Sequence, residues 1–436
     1  MKLLIGCFVL MRVVIGQRIR RSDLLNIAII DADLISKAKH RFPNLASMKL
    51  SGWYKSQGHN VNLIYNYKNL YIDENLWIEY QNALSQYIKK QSVENNNILG
   101  QKMIPCFDKR NFKHDKVFIS KVFTDTDVDE YFLSLDFIEY GGTGFFYDKA
   151  PFLPDEIEHH MPDYHLYDEW VQNKIQTGCK PKDFQYYTDY SIGFTTRFCF
   201  RKCPFCVNQN YDKVLAWSPL EEFVDPSRKY ICLLDDNMFG YSGWKDILKN
   251  LQFTKRYFQY KQGLDERLLT DEKCQMLTNS KWLGDYIFAF DNIKDSPLIE
   301  QKLAMWRNHN SKNTKFYVFC AFDETNTYDE DFWVQDIINL FERIQILQSY
   351  GCLPYIMRYE RESERYKNNP YYGAYTNIAS WCNQPSFFKK TSLHEWIVNE
   401  DNRKKNTSAA GRYYKDFINK HPDLVEKYFH TKYKTQ

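Results

Sequence analysis

The stretch YSIGFTTRFCFRKCPFC, residues 190–206, joins an apolar run directly to three closely spaced cysteines. Apolar runs of similar length recur along the rest of the chain: YICLLD (230–235), RYFQYKQ (256–262), YIFAF (286–290), KFYVFCAF (315–322) and LPYIMRY (353–359). Each of the first five runs is followed by a stretch that can form a helix, and residues 331–351 show the apolar i, i+3, i+4 spacing of a core-facing helix. Intervals of roughly 26 to 40 residues between runs are typical of strand–helix units. The sequence therefore predicts a partial (βα)6 TIM-type barrel of parallel strands over residues 186–370.

The composition is that of an ordinary globular protein, with 436 residues, 44% hydrophobic residues and a formal charge of +3 from 58 basic and 55 acidic side chains. This near balance does not indicate a nucleic-acid partner. Eleven cysteines in a chain of this length are too few for a disulfide scaffold, and eight of them are scattered, most inside apolar runs. We interpret these eight as free thiols, typical of a reducing compartment, and expect a cytoplasmic protein.

The remaining cysteines, Cys199, Cys203 and Cys206, crowd into eight residues after the first predicted barrel strand. A loop at the carboxyl end of such a strand lies on the functional face of a parallel barrel. Three thiolates do not complete a tetrahedral structural zinc site, which needs four ligands. They can bind three irons of a [4Fe–4S] cluster and leave the fourth iron open to another ligand. Adventitious zinc binding and simple packing of the thiols are the alternatives.

The segment CFRKCPFC, residues 199–206, resembles the CxxxCxxC signature of the radical S-adenosylmethionine (radical SAM) enzymes, with an aromatic residue, Phe205, before the last cysteine. Together with the predicted barrel, the resemblance covers about residues 186–360. It implies that the three cysteines bind a [4Fe–4S] cluster and that the amino and carboxylate groups of S-adenosylmethionine chelate the open iron. It also implies one-electron cleavage to methionine and a 5′-deoxyadenosyl radical, which attacks an unidentified substrate. A reductant such as flavodoxin or ferredoxin is the implied partner, and the backbone at Phe205 is expected near the adenine.

Polar residues follow the other predicted strands on the same face. After strand two, where the family usually has a Gly-Gly-Glu-like segment that holds the methionine amine, this chain has Asp235, Asp236 and Asn237. A carboxylate suits an ammonium group, so we predict that these residues bind the cofactor, with helix N-caps as the alternative. Further candidates are Gln262, Asp265 and Arg267 after strand three, Asp291 after strand four, Asp323 after strand five, and Arg358 and Glu360 after strand six. Caps and salt bridges are the alternative for these residues as well.

Residues 26–150 carry a second strand–helix pattern, whose predicted strands are the apolar run NIAIID (26–31), the alternating stretch HNVNLIYNY (59–67), KVFISKVF (116–123) and FIEYGGTGF (137–145). The pattern predicts a Rossmann-like open parallel sheet. We interpret GGTG at 141–144 as a turn that needs glycine rather than as a ligand loop. The layout resembles cobalamin-binding radical SAM proteins, but residues 31–36 read DADLIS in place of their Asp-x-His-x-x-Gly motif. We therefore expect a cofactor-free domain, with a substrate clamp as one role for it.

The remaining segments are the two ends of the chain and one connection. Residues 1–25 form an apolar extension, too short and too interrupted by charge for a membrane span, so we expect no membrane partner; a signal peptide or an anchor at Cys7 is the alternative. Residues 151–185 are rich in proline, histidine and acidic residues without a sustained period, and we predict that they form a linker. We interpret its three histidines, His159, His160 and His165, as surface residues rather than metal ligands. Residues 371–436 predict a helical extension docked on the barrel. Because basic residues among aromatic ones can bind single-stranded nucleic acid, an RNA-modifying enzyme is one alternative function for the protein. A non-catalytic metal-binding module is the other alternative.

Overall fold

The computed structural model describes residues 24–37, 39–90, 108–359, 369–405 and 408–433. The chain divides into two compact units, with the boundary between Phe184 and Gln185. Both are α/β units whose main strands pair in parallel. Nearly all of the segment predicted as a linker therefore counts with the first unit, and most of the predicted apolar extension lies outside the described residues.

The first unit is built on a parallel sheet whose described strands follow the order β2-β1-β3-β4. These strands are β1 (Asn26–Asp31), β2 (Asn60–Leu63), β3 (Lys116–Ser120) and β4 (Ile138–Gly141). The accompanying helices are Ala32–Ser36, Leu45–Ser56, Asn75–Lys90, Glu130–Leu133, Thr143–Phe146, Asp155–Glu158 and Asp168–Gln176. β1 is buried from Ile27 to Asp31 because it pairs on both sides, which explains its continuous apolar run.

The turn after β4 requires glycine. Gly142 has a φ of 109°, and a Cβ atom at this position would lie 2.3 Å from the carbonyl oxygen of Lys121. A Cβ atom on Gly144 would lie 2.6 Å from the side chain of Lys121 and 2.7 Å from the carbonyl oxygen of Phe123. The GGTG sequence is thus explained by the close approach of this turn to the chain that follows β3.

The acidic and histidine-rich segment from 151 to 184 packs on the helix Leu45–Ser56. Lys49 and Glu158 form a buried ion pair at 2.8 Å. Asp163 accepts hydrogen bonds from the Ser51 hydroxyl and the Lys55 amine, at 2.6 and 2.7 Å. The charged residues of the segment predicted as a linker therefore form contacts inside the first unit.

In the described part of the second unit, β5 (Tyr190–Gly193), β8 (Tyr230–Leu233) and β9 (Tyr257–Tyr260) form one parallel sheet, and β10 (Tyr286–Ala289), β11 (Thr314–Cys320) and β12 (Leu353–Arg358) form another. A parallel bridge between Leu264 and Phe288 joins the segment after β9 to β10. Each of these strands begins within one residue of its predicted apolar run. Between β5 and β8, β6 (Thr196–Arg197) and β7 (Leu215–Ala216) form a short antiparallel pair.

Helices pack on the strands of this unit and on one another. They are Gln185–Thr188, Trp244–Phe253, Asp271–Thr278, Ser296–His309, Glu330–Ser349, Tyr372–Cys382, Pro385–Phe388, Leu393–Arg403, Ala409–Lys420 and Pro422–Tyr428. The last of them share the core of the unit: Phe417, Tyr428 and Phe429 are buried, and the Tyr428 ring stacks on Phe341 at 5.3 Å. These aromatic side chains pack inward, in agreement with the expected docking. Within the described ranges, none of the helices is both long and apolar enough to cross a membrane.

Candidate functional site

The three cysteines lie in a loop, residues 198–214, whose two ends are held together by β6 and β7. Thr196 pairs with Ala216, and Arg197 pairs with Leu215. Because β6 follows β5 at the carboxyl end of that strand, the loop lies on the face that the sequence predicts. The Arg197 guanidinium also lies 5.2 Å from the centre of the Trp217 ring, which packs the base of the loop.

N–H groups face two of the sulfur atoms. The backbone amides of Arg201 and Asn208 donate to the Sγ atoms of Cys199 and Cys206, each at 3.4 Å. Burial, together with the neighbouring charges of Cys206, Asp291 and Cys199, raises the pKa of Cys203 to about 11. Burial raises the pKa of Cys206 as well. The three thiols therefore lie close enough to influence one another's ionisation.

These contacts suit the donor set of an iron–sulfur cluster. Hydrogen bonds from N–H groups to cysteine sulfurs are one way in which proteins tune such clusters. In the part of the chain that the structure describes, no group of three or more His, Cys, Asp and Glu side chains is placed to hold a metal ion. A cuboidal cluster is larger than an ion and takes one cysteine for each iron, so its cysteines stand apart from one another.

Asp235 and Asp236, directly after β8, brace the cysteine loop. Asp235 is buried and accepts hydrogen bonds from the amides of Thr195 and Thr196, at 2.9 and 2.8 Å, and from both of their hydroxyl groups. Asp236 accepts from the amide of Phe198 at 2.8 Å, which stabilises the left-handed conformation of that residue at a φ of 73°. Burial raises the pKa of Asp235 to about 6 in spite of these donors. Since both carboxylates face the loop's own groups, their binding of a cofactor stays a prediction.

Asn237 lies beside Cys199 and contacts Asp265, which is paired with Arg267. Nδ2 of Asn237 lies 3.3 Å from Sγ of Cys199 and 3.4 Å from Oδ2 of Asp265. Asp265 also accepts from Nε of Arg201 at 2.6 Å and from Nε of Arg267 at 2.8 Å. Burial alone would raise the pKa of Asp265, but the two guanidinium groups hold it below its ordinary value. This carboxylate thus connects the cysteine loop to the segment after β9.

The other predicted rim residues have different surroundings. Gln262 is exposed. Asp323 accepts hydrogen bonds from residues 325–328. Burial alone would raise the pKa of Asp323, but these donors lower it to about 2. Asp323 therefore organises its own turn. Arg358 donates to a threonine hydroxyl of the following helix at 2.7 Å. Glu360 lies outside the described residues.

Sequence reasoning missed Arg343, on the helix Glu330–Ser349. Its side chain is buried, and Nη1 donates to the carbonyl oxygens of Phe290, Asp291 and Phe319 at distances of 2.9 to 3.1 Å. It thereby joins the carboxyl ends of β10 and β11 on the face that carries the cysteine loop. The signal in the sequence is a charged residue on the apolar face of a helix, surrounded by buried leucine and isoleucine side chains.

The ring of Phe205 packs at the carboxyl end of β11. Its centre lies 4.1 Å from that of Phe319 and 5.8 Å from that of Phe322. Both of these rings also contact Tyr359, and all four side chains are half-buried. The cluster therefore provides a partly exposed aromatic surface next to the last cysteine.

No protein-family model matches the chain, and no curated protein matches it. Among solved structures, the radical SAM methyltransferase TsrM from Kitasatospora setae, with cobalamin and a [4Fe–4S] cluster bound, matches 76% of this chain and 72% of its own, at 10% identity and a TM-score of 0.44. The cobalamin-dependent SAM radical enzyme OxsB, with aqua-cobalamin and S-adenosylmethionine bound, matches at 9% identity and a TM-score of 0.33. The chain is similar to radical SAM enzymes. The similarity is remote, and although the match to OxsB covers 93% of this chain, it spans only 56% of OxsB.

Proposed function

We propose that the chain is a radical SAM enzyme, which cleaves S-adenosylmethionine reductively and directs the 5′-deoxyadenosyl radical to an unidentified substrate. The observation that carries this proposal is the loop CFRKCPFC at the carboxyl end of parallel strands, with N–H groups directed at its sulfurs. Cys199, Cys203 and Cys206 would hold a [4Fe–4S] cluster through three of its irons. When bound, this cluster supplies the electron that cleaves the sulfonium, and a flavodoxin or ferredoxin is the proposed reductant.

The chain's own residues position and enclose this site. Asp235 and Asp236 fix the entry to the cysteine loop, and Asp265 holds the loop from the segment after β9 through its contact with Arg201. The aromatic cluster around Phe205 offers the apolar surface beside which we place the adenine. We also propose that β5 and β8 to β12 form one partial (βα)6 barrel and that the first unit has a Rossmann-like fold. The bridge between Leu264 and Phe288, which joins the two described sheets of the second unit, supports the barrel.

Anaerobic reconstitution with iron and sulfide tests the proposed function. We expect about four irons and about four sulfides per chain, as a single cuboidal cluster requires. After addition of dithionite and S-adenosylmethionine, we expect chromatography to detect 5′-deoxyadenosine. One equivalent of bound zinc, without iron or sulfide, would instead identify a non-catalytic metal-binding module.

We propose further that the first unit binds no cobalamin. In a sheet ordered β2-β1-β3-β4, the expected ligand crevice lies at the carboxyl ends of β1 and β3. Tyr167 fills this place: its hydroxyl donates to Oδ2 of Asp31 at 2.9 Å and accepts from the amide of Asn44 at 3.1 Å. Asn44 donates in turn to the hydroxyl of Ser120, at the end of β3, at 2.9 Å. All four residues are buried, and residues 31–36 contain no histidine to ligate cobalt.

Incubation with hydroxocobalamin, followed by desalting and visible absorbance, checks this prediction. We expect the wild-type protein to retain no stoichiometric cobalamin. A Tyr167→Ala variant vacates the space beside Asp31, and we expect it to retain none either, because residues 31–36 still lack a cobalt ligand. One equivalent of cobalamin on the wild-type protein would contradict the proposal, whereas binding by the variant alone would show that Tyr167 excludes it.

A further inference from the structure

The side-chain amide of Asn237 is fixed in one orientation against Cys199. Asn237 is only 3% exposed, and its Nδ2 atom faces Sγ of Cys199 and Oδ2 of Asp265, at 3.3 and 3.4 Å. Because a carboxylate oxygen only accepts hydrogen bonds, the side of the amide that faces Asp265 must be the donor. The same NH2 group is therefore presented to the cysteine sulfur.

The oxygen of this amide makes no compensating contact. Oδ1 of Asn237 is buried and, among the described residues, has no hydrogen-bond partner. An unpartnered buried carbonyl is less favourable than a hydrogen-bonded one, so stability alone does not explain an asparagine here. What the residue provides at this position is the donor that points at the sulfur.

Asp265 keeps the amide in place. It accepts from Arg201, which belongs to the cysteine loop, and from Arg267, which is itself paired with Asp295 at 2.7 Å. These ion pairs fix Asp265 from two sides, and Asp265 fixes Asn237. The donor is thus pre-oriented by residues that do not touch the sulfur themselves.

We propose that Asn237 is a positioning residue that donates an N–H···S hydrogen bond to the Cys199 thiolate and thereby makes the metal group bound there easier to reduce. This inference rests on the proposed function. One-electron reduction transfers one electron from a low-potential donor to the cluster and, at the cysteine, forms and breaks no covalent bond. A hydrogen-bond donor stabilises the state with more negative charge on sulfur, which is the reduced state, and so raises the reduction potential.

A potentiometric titration of the reconstituted protein, followed by electron paramagnetic resonance of the reduced cluster, tests the proposal. The Asn237→Leu variant keeps a similar volume but removes the donor. We expect its reduction equilibrium constant to fall about tenfold, which is a shift of about 59 mV to more negative potential for a one-electron couple. Asn279→Leu is the matched control, since Asn279 is exposed after the helix Asp271–Thr278, and we expect its potential to equal that of the wild type.

Iron and sulfide counts separate the failure of this inference from that of the proposed function. If the wild-type protein binds no cluster, both the proposed function and the role of Asn237 are wrong. A wild-type level of cluster in Asn237→Leu with an unchanged potential would overturn the role of Asn237 and leave the proposed function intact. If the leucine variant does not load, Asn237→Ala provides the same measurement with less crowding, and failure of both variants to load would assign Asn237 to folding and also overturn the proposal.

Discussion

Replacing Cys203 with alanine is expected to abolish cluster assembly and all formation of 5′-deoxyadenosine. A cluster with one open iron has only three protein ligands, so losing one leaves two irons without a cysteine. The fold should tolerate the change, because the turn at this position is closed by a main-chain hydrogen bond from Cys206 N to Cys203 O at 2.9 Å, which alanine retains. Iron should fall from about four per chain to the background of the assay, measured together with sulfide and 5′-deoxyadenosine.

Cys179→Ala is the control for this experiment. Cys179 is an exposed free thiol of the first unit and is not one of the three cysteines of the loop. We expect this variant to bind iron and to release 5′-deoxyadenosine as the wild type does. Full iron loading of Cys203→Ala would contradict the assignment of the loop as the cluster site. Equal losses in both variants would trace the iron to unspecific binding by thiols.

Replacing Asp235 with alanine is expected to release the start of the cysteine loop. The amides of Thr195 and Thr196 would lose their buried carboxylate acceptor, and each such charge-assisted hydrogen bond contributes about 1.5–3 kcal/mol. Since about 1.4 kcal/mol corresponds to a factor of ten, hydrogen exchange of these two amides should accelerate by about 10- to 100-fold. Exchange measured by mass spectrometry on peptides that cover residues 190–198 reports this change directly. We also expect a lower cluster content, because the loop begins only two residues after Thr196.

Asp323→Ala provides the comparison. Asp323 is also a buried carboxylate that accepts hydrogen bonds from backbone amides, but those amides belong to its own turn, residues 325–328. The change should accelerate exchange in that turn and leave residues 190–198 protected. Peptides from the helix Glu330–Ser349 serve as an internal reference for the second unit as a whole. Unaltered protection of Thr195 and Thr196 in Asp235→Ala would show that the carboxylate does not hold the loop.

Several strands of both units could be predicted from the sequence because they coincide with apolar runs of the length of one strand. NIAIID coincides with β1, and LPYIMRY begins at the same residue as β12. Such runs are continuous because parallel strands with neighbours and helices around them are buried on both faces. The spacing of Cys199, Cys203 and Cys206 likewise predicted one shared loop after the first of these strands. Local sequence suffices for features of this kind, since each depends on residues that are close together along the chain.

The partners of the polar residues at the strand ends could not be predicted in the same way. The sequence by itself determined that Asp235, Asn237 and Asp265 follow strands and therefore lie near the functional face. Only the tertiary structure decided that Asp235 binds the amides of Thr195 and Thr196, about 40 residues away, that Asn237 faces Cys199, and that Arg343 reaches the ends of two strands from a distant helix. A carboxylate at the end of a strand can bind any donor that comes within about 3 Å of it. Which donors do so depends on how neighbouring strands and loops pack in space. The order of residues along the chain does not give the distance between a carboxylate and a donor from another segment.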